Sequence, residues 1–269
     1  MVMIGFNVYK EGKKCIVTFS YDDGRVYDKK LIDIFNKYGI KGTFHLNSGA
    51  LKGPNSVHAD EVKNVYKGHE VSCHTVTHPS IAEIASQIAI KEVIDDRKNL
   101  EQLCGYPVRG MSYPNGSVSE DVINIIKYCG IVYSRTIVNG GFHIPQNFLN
   151  WNPTCHHRDA LKMIEQFKRY VVEPEWQHGL LYIWGHSYEL ERNEPNNSWE
   201  YIEEVCREIA QDNRIWYATN IEIYDYITAQ RSLIMSVDES IITNPTMTDV
   251  WIRKDGETVK VAAGQTLRF

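Results

Sequence analysis

The 269-residue chain lacks a cluster of basic residues, a long apolar run and a closely spaced pair of cysteines. Its 29 lysines and arginines stand against 34 aspartates and glutamates, a formal net charge of -5, and no segment gathers the positive charge typical of a nucleic-acid surface. No apolar run reaches the roughly 18 residues that a membrane-spanning helix needs. Neither nucleic acid nor a membrane is therefore expected as a partner.

Cysteine is present but scattered, without a Cys-x-x-Cys pair. In a chain of this length the six residues do not form the pattern of a disulfide framework or a structural zinc site, so we expect buried free thiols. The apolar N-terminal stretch is interrupted by Asn7 and Lys10, unlike a signal peptide. A cytoplasmic location is expected, or secretion if a leader has been removed from a longer precursor.

The chain does contain short strand patterns, rich in β-branched residues, that alternate with helical patterns over residues 15–231. Roughly seven such alternations predict parallel βαβ units in an α/β fold, either a doubly wound sheet or a barrel. Residues 1–232 are therefore assigned to one α/β domain.

The pattern changes after residue 232, where Asp255 and Gly256 give a turn signal between alternating apolar residues. Residues 233–269 are therefore predicted to form a small β extension. A two-stranded hairpin alone is marginally stable in water, so this extension should pack on the α/β domain or pair with another copy. We favour the second arrangement, which predicts a homo-oligomer.

Two adjacent carboxylates, Asp22 and Asp23, follow the first predicted strand and precede Gly24. Neighbouring carboxylates oppose each other's ionisation, and neighbouring side chains of a regular strand point to opposite faces. A glycine allows the backbone to turn so that both acids face one site. The pattern is typical either of a polar Asp-Gly turn or of a site that uses two acids.

His74 and His78 stand four residues apart, directly after the predicted strand 70–73. This spacing suits two ligands of one metal ion, and the carboxylate pair at another strand end supplies the remaining kind of ligand. His69 begins the strand and so lies at its opposite end, and Cys73 should point into the core. The sequence therefore predicts a metal site at the carboxyl ends of the strands.

A further histidine, His186, follows Gly185 at the end of the fully apolar strand 180–185. Taken singly, a histidine at a strand end is more often structural than functional. In parallel α/β folds, however, the carboxyl ends of the strands carry the site. We therefore expect His186 to lie at the same level as the carboxylates and the paired histidines.

Four motifs carry a resemblance to a known family: Asp-Asp-Gly at 22–24, His-x-x-x-His-Pro at 74–79, Tyr-Pro-Asn-Gly at 113–116 and Leu-Tyr-Ile-Trp-Gly-His-Ser at 181–187. Their order and intervals are similar to those of the polysaccharide deacetylase family, the carbohydrate esterases that deacetylate chitin, peptidoglycan and xylan. The resemblance spans residues 15–230. Its first two motifs together are specific.

The resemblance implies a distorted (β/α) barrel of about seven parallel strands with a divalent metal ion at its mouth. Carried over residue by residue, Asp23, His74 and His78 would hold the ion. Two imidazoles and a carboxylate favour zinc, ahead of cobalt, nickel, manganese or iron.

The resemblance also implies the catalytic roles. Asp22 would be the base that takes a proton from metal-bound water as it attacks the acetyl carbonyl, and His186 would donate a proton to the leaving amine or alcohol. Tyr113, with a backbone N–H near it for the oxyanion, and Trp151 would bind the substrate.

Two positions depart from the family's pattern. Ser112 stands where the family has an arginine that pairs with the base, and Asn150 stands where it has an aspartate that orients the catalytic histidine. Arg135 closes the predicted strand 131–135 and should emerge at the rim of the site, whereas Arg109 opens its strand and should lie at the opposite end. We therefore predict that Arg135 replaces the missing arginine and hydrogen-bonds to Asp22.

The leading hypothesis is a metal-dependent hydrolase that removes N-acetyl, or O-acetyl, groups from an amino sugar or a glycan. A small non-sugar amide is the alternative substrate at the same site. Two histidines and a carboxylate also resemble the facial triad of non-haem iron oxygenases, but the second aspartate and the barrel-like alternation argue against that class. A catalytically silent sugar-binding domain with a structural metal would need neither Asp22 nor His186.

Overall fold

The computed structural model describes residues 4–172 and 178–269. Its strands, in chain order, are β1 (Ile4–Gly5), β2 (Cys15–Asp22), β3 (Gly42–Leu46), β4 (Glu70–Cys73), β5 (Gly110–Ser112), β6 (Tyr133–Arg135), β7 (Cys155–His156), β8 (Gly179–Gly185), β9 (Ile215–Tyr217), β10 (Ile234–Met235), β11 (Ile241–Thr243), β12 (Val250–Lys254), β13 (Glu257–Val261) and β14 (Thr266–Arg268). Its helices are α1 (Asp28–Tyr38), α2 (Val62–Val65), α3 (Ser86–Cys104), α4 (Glu120–Tyr128), α5 (Ala160–Val172), α6 (Trp199–Ile209) and α7 (Asn220–Arg231).

The main sheet contains a path of seven strands in the order β6-β5-β4-β3-β2-β8-β7, and the pairings along it are parallel. Strand β9 also pairs in parallel with β2. An isolated bridge between Arg135 and Trp151 links the end of β6 to the segment that leads into β7, so the sheet curls toward itself as an incomplete barrel. The predicted α/β fold, a distorted barrel of about seven parallel strands, is confirmed.

Strand β2 is the centre of this sheet because three strands pair with it. Strand β8 runs beside residues 15–21, whereas β9 pairs with residues 15–17 and β3 with residues 19–22. All eight residues of β2 are buried, which explains its continuous apolar and β-branched sequence. Asp22, the last residue of β2, therefore lies near the middle of the edge formed by the carboxyl ends of the strands.

The helices pack their apolar faces on the sheet. Helix α1 buries Leu31, Ile34 and Phe35 and ends at Gly39, whose φ of 67° forms a left-handed cap. The segment between β3 and β4 contains a 3-10 turn, Ala59–Glu61, followed by the single turn α2. Strand β7 was not predicted, because two residues are too few for a period-two pattern.

The C-terminal residues form antiparallel strands, as predicted for the hairpin. Strands β12 and β13 pair with Val250 opposite Val261, and Asp255 and Gly256 between them have φ of 49° and 89°, the positive values that a tight hairpin turn requires. Three strands make each of two small sheets, β1-β12-β13 and β10-β11-β14. Ile242, Ile252 and Val261 form their shared buried core.

The N-terminal strand belongs to this extension, although the sequence-based division placed it with the α/β domain. Ile4 pairs with Lys254 in antiparallel register. The extension also contacts the barrel, since the backbone N–H of Trp251 donates to the Tyr226 hydroxyl of α7 at 3.1 Å. The division at residue 232 and the homo-oligomer stay predictions.

All six cysteines are buried and free of disulfides, as expected. Among the described residues, no helix combines the length and the apolar character that crossing a bilayer would require.

Candidate active site

Five of the predicted site residues lie at, or directly after, the carboxyl ends of parallel strands. Asp22 ends β2, Asp23 follows it, His74 follows β4, Arg135 ends β6 and His186 follows β8. Parallel pairing brings these ends to one edge of the curled sheet. The topology therefore gathers residues that are up to 164 positions apart in sequence.

Both carboxylates of the Asp-Asp-Gly segment face the same histidine. His74 Nε2 lies 3.8 Å from Asp22 Oδ2 and 3.8 Å from Asp23 Oδ1. Asp23 has a φ of 79° and Gly24 a φ of 62°, so the left-handed turn begins at Asp23 itself. Left-handed backbone is uncommon at residues other than glycine, and a large share of the cases that occur lie at functional sites. This turn overcomes the alternation of side chains that a regular strand would impose.

Asp23, His74 and His78 come together as a group whose ligand atoms all lie within 4.8 Å of one another. His78 Nε2 is 3.8 Å from Asp23 Oδ1, and the rings of the two histidines are 4.7 Å apart between centroids. His78 also has left-handed backbone, with a φ of 60°, and its side chain is about one third exposed, at 34%. The group is therefore open on one side.

The hydrogen bonding of His74 engages Nδ1 and leaves Nε2, the nitrogen that faces Asp23, free to bind a metal ion. His74 Nδ1 lies 2.9 Å from the carbonyl oxygen of Ser112, and a carbonyl only accepts, so Nδ1 carries the proton. Nε2 then presents its lone pair toward Asp23 and His78. Burial lowers the pKa of His74, which favours the neutral imidazole that binds metals. The donor set thus fits one divalent ion with open coordination positions.

A second group, His156, His186 and Glu189, has similar spacing but different hydrogen bonding. His156 Nδ1 accepts from the backbone N–H of Arg158 at 3.4 Å and from Arg158 Nε at 3.1 Å. Its proton is therefore on Nε2, which lies 2.9 Å from Glu189 Oε2. A protonated nitrogen has no lone pair for a metal. This group is a hydrogen-bond network rather than a second site of the same kind.

Glu189 is the anchor of that network and was missed by sequence reasoning. Its Oε2 accepts from the backbone N–H of His186 at 3.3 Å and lies 3.4 Å from His186 Nδ1. Burial opposes the charge of the carboxylate, but His156 and His186 outweigh it and hold the pKa of Glu189 well below its usual range. A glutamate three residues after a capping residue is a recognised N-terminal pattern, and that spacing could have drawn attention to it.

The same network acts on His186. Burial alone would lower its pKa, but the hydrogen bond to Glu189 and the negative charges of Asp22 and Asp23 raise the pKa of His186 above its usual value. The contact with Glu189 puts the ring proton on Nδ1 and leaves Nε2 as the nitrogen available to a reacting group.

Asp22 is held by two donors. The buried guanidinium of Arg135 donates from Nη2 to Asp22 Oδ2, and Ser112 Oγ donates to Asp22 Oδ1 at 3.1 Å. Burial would raise the pKa of Asp22, but the charges of Arg135 and then of His74 outweigh it and hold that pKa well below the usual range. The predicted contact is present, and Arg109 instead pairs with Asp225. The catalytic role of Arg135 stays a prediction.

Tyr113 and Trp151, the residues expected to bind substrate, are both buried in this structure, and that role stays a prediction. Tyr113 is 1% exposed, its N–H donates to the carbonyl of Arg135, and its hydroxyl donates to the carbonyl of Leu149. Trp151 is fully buried among aromatic rings, with Phe148 at 5.0 Å between centroids. Both residues pack the interior behind the site.

The open space beside the metal-binding group is a cavity of about 470 Å³. Its lining residues are Asp23, Arg25, Asn47, Gly49, Ala50, Val76, Thr77 and His78. A cavity of this size accommodates a sugar residue with its neighbours.

Part of the chain is similar in sequence to known polysaccharide deacetylases. Residues 9–134 match the polysaccharide deacetylase family model. A peptidoglycan-N-acetylglucosamine deacetylase of Bacillus cereus is 29% identical over 111 residues, which are 40% of this chain and 39% of that protein. The chain therefore covers less than two thirds of this relative's length.

Solved structures show a similar fold over most of the chain. A Mycobacterium smegmatis protein assigned to the polysaccharide deacetylases superposes with a TM-score of 0.64 at 15% identity, over 85% of this chain and 96% of that one. A family 4 acetyl xylan esterase of Clostridium thermocellum, solved with a cobalt ion, has a TM-score of 0.51 at 16% identity, over 78% and 90%. At these identities the likeness concerns the fold alone.

Proposed function

Because residues 9–134 match the polysaccharide deacetylase family model, we propose that the chain is a member of this family and that it hydrolyses an acetyl group from an amino sugar or a glycan with the help of one divalent metal ion. The observation that carries this proposal is the meeting of three kinds of group at one edge of the sheet. These are the group Asp23, His74 and His78, the buried carboxylate Asp22, and the anchored imidazole of His186.

Asp23, His74 and His78 would hold the ion, with Ser112 fixing the tautomer of His74 from behind. A divalent ion in such a site polarises a carbonyl oxygen and lowers the pKa of a bound water. Zinc is the first candidate because catalytic zinc sites use two histidines and a carboxylate. The exposed side of His78 gives a substrate access to this group.

Asp22 would accept the proton of the attacking water. A general base must be ionised at the working pH, and the charge of Arg135 keeps it so despite burial. Arg135 is thereby the substitute for the arginine that the family has at the position of Ser112. Ser112 itself donates to the other oxygen of Asp22, so both carboxylate oxygens are fixed.

His186 would donate a proton to the leaving amine or alcohol. Its raised pKa increases the fraction of protonated imidazole near neutral pH. Glu189 takes the place of the aspartate that the family has at Asn150, since it contacts His186 Nδ1 and leaves Nε2 for the leaving group. We favour N-acetyl over O-acetyl groups because the related Bacillus cereus protein is named for an N-acetyl substrate.

The test is acetate release from a panel of N-acetylated and O-acetylated sugars and oligomers, with metal content measured on the same sample. Asp22→Asn and His186→Asn should abolish release while leaving the fold intact by circular dichroism. Acetate release from acetylated small amides but from no sugar would replace the sugar substrate with the alternative. Full metal content without release from any substrate would instead indicate a silent binding domain.

A further inference from the structure

We propose that a basic rim beside the candidate active site, made of Arg25, Tyr188 and Arg192, binds a carboxylate of the substrate. The preferred substrate would then be an acetylated glycan that carries a carboxylate close to the acetyl group. This inference rests on the proposed deacetylase function and names its substrate class.

Arg25 lies in the same cavity as two of the residues assigned to the metal ion. It follows the Asp-Asp-Gly turn, lines the 470 Å³ cavity with Asp23 and His78, and is fixed in the backbone by a bridge to Ser56. A substrate whose acetyl group reaches Asp23 and His78 must therefore pass beside this guanidinium.

The hydrogen-bonding capacity of Arg25 is largely unused. Its Nη2 is 3.8 Å from Asp23 Oδ2, which is beyond hydrogen-bond range. Its Nε is buried and has no hydrogen-bond partner in the described part of the chain. The side chain is 38% exposed. A guanidinium with free donors in a fixed fork favours a planar carboxylate, which it binds through two parallel hydrogen bonds.

Arg192 extends the positive charge toward His186, the proposed proton donor. The Cζ atoms of Arg25 and Arg192 each lie 5.9 Å from the ring centre of Tyr188. The ring of Tyr188 is in turn 5.2 Å from that of His186. The basic rim therefore runs along the site from the metal-binding group to the proton donor.

Two acids, Asp23 and Glu189, lie near these arginines, and both also contact histidines of the site. Asp23 is shared with the metal-binding histidines, and Glu189 is engaged by His156 and His186 before it reaches Arg192 at 3.7 Å. A divalent ion would add further positive charge on the same side of the cavity. An anionic substrate group at the rim is thus favoured electrostatically over a neutral hydroxyl.

The experiment compares kcat/KM for three acetylated sugars in the intact protein. One is the neutral disaccharide of N-acetylglucosamine, the second joins N-acetylglucosamine to glucuronate, and the third is N-acetylmuramic acid, whose carboxylate is on the acetylated sugar itself. At least one acidic substrate should exceed the neutral one by about 10- to 100-fold, the range expected for a hydrogen-bonded ion pair. Which of the two exceeds it locates the carboxylate on the neighbouring or on the same sugar.

Arg25→Met and Arg192→Met should each lower the ratio of acidic to neutral kcat/KM, with the larger fall for Arg25. Arg25→Lys should restore part of it, because the charge returns without the planar fork. Arg207→Met on α6 is the matched control, since Arg207 is an exposed arginine paired with Glu204, and its ratio should equal that of the wild type. Metal content is measured for each variant because Arg25 neighbours Asp23.

Binding of the deacetylated glucuronate disaccharide, measured by calorimetry, separates this inference from the proposed function. Equal kcat/KM for acidic and neutral substrates, unchanged by Arg25→Met, would overturn the carboxylate site while deacetylation stands. Binding that Arg25→Met weakens, without acetate release from any substrate, would keep the carboxylate site and overturn the deacetylase.

Discussion

The guanidinium of Arg135 at the end of β6 donates a hydrogen bond to the carboxylate of Asp22 at the end of β2, and both side chains are buried. The positive charge holds the pKa of Asp22 low against burial. In Arg135→Met the pKa of Asp22 should rise. Asp22 then becomes protonated, and inactive as a base, at a higher pH than in the wild type. The acid limb of the pH–rate profile should therefore move to higher pH, as measured by acetate release.

Arg109→Met is the control for this experiment, because Arg109 pairs with Asp225 rather than with the site. It should leave the acid limb where it is. An unmoved limb in Arg135→Met, in a protein that still folds, would mean that Asp22 is not the base or that Arg135 does not set its pKa.

Glu189→Gln should move the basic limb of the pH–rate profile. Glu189 raises the pKa of His186 against the effect of burial, so removal of the carboxylate lowers that pKa. The protonated acid is then lost at lower pH, and the basic limb should move down while kcat falls about 10- to 100-fold. Metal content should not change. A basic limb at its original pH would show that Glu189 has only a structural role.

Metal binding should depend on the group Asp23, His74 and His78 and not on the group His156, His186 and Glu189. We expect one divalent ion per chain by elemental analysis, lost in His78→Asn and in Asp23→Asn, and activity lost with a chelator should return with added zinc. His186→Ala and His156→Asn should keep the ion, because the proton on His156 Nε2 faces Glu189. Two ions in the wild type and one in His156→Asn would contradict the tautomer deduced for His156.

Glu70 should make stability depend on pH. Burial raises its pKa from 4.5 to about 7 in the folded protein, so the folded state binds its proton more tightly than the unfolded state. Protonated Glu70 therefore stabilises the folded state fully below pH 4.5. This contribution to the free energy of unfolding, about 3 kcal/mol at most, is lost as pH rises through 7. Glu70→Gln should thus be less pH-sensitive in urea unfolding between pH 5 and 8. The exposed Glu257→Gln should follow the wild type.

The extension should be sensitive to loss of its small core. Ile252 is fully buried with Ile242 and Val261, so Ile252→Ala should lower the free energy of unfolding by about 2–4 kcal/mol. Val237→Ala is the control, since Val237 is fully exposed. If thermal unfolding of Ile252→Ala matched the control, the extension would contribute little to the stability of the chain.

The positions of the strand-end residues could be predicted because parallel topology brings every carboxyl end to one edge. Asp22, His74 and His186 are therefore found together without any knowledge of side-chain packing. Strand β7, with two residues, has no readable period, so His156 at its end was not expected in the site. Its partner Glu189 is three residues from His186 on a 3-10 turn, where a polar residue is also typical of a solvent-exposed turn.

The burial of Trp151 could not be predicted for a related reason. An aromatic residue within a motif suits either a substrate platform or a packing position, and the choice depends on neighbours distant in sequence. Here Tyr133 and Tyr182 enclose the ring at 5.7 and 4.9 Å between centroids. The left-handed backbone of Asp23 could not be predicted from the sequence either, because Gly24 was the residue expected to make the turn.

The pairing of β1 with β12 bears on the order in which the chain assembles during translation. Ile4 emerges from the ribosome before β2, whereas its partner Lys254 emerges only after all strands of the main sheet. Contacts so distant in sequence are slow to form, because the long intervening loop must close first. A nascent chain can therefore complete the edge that carries the candidate site while the terminal sheet is still open. The pairing of β1 with β12 then joins these two distant segments after the main sheet has formed.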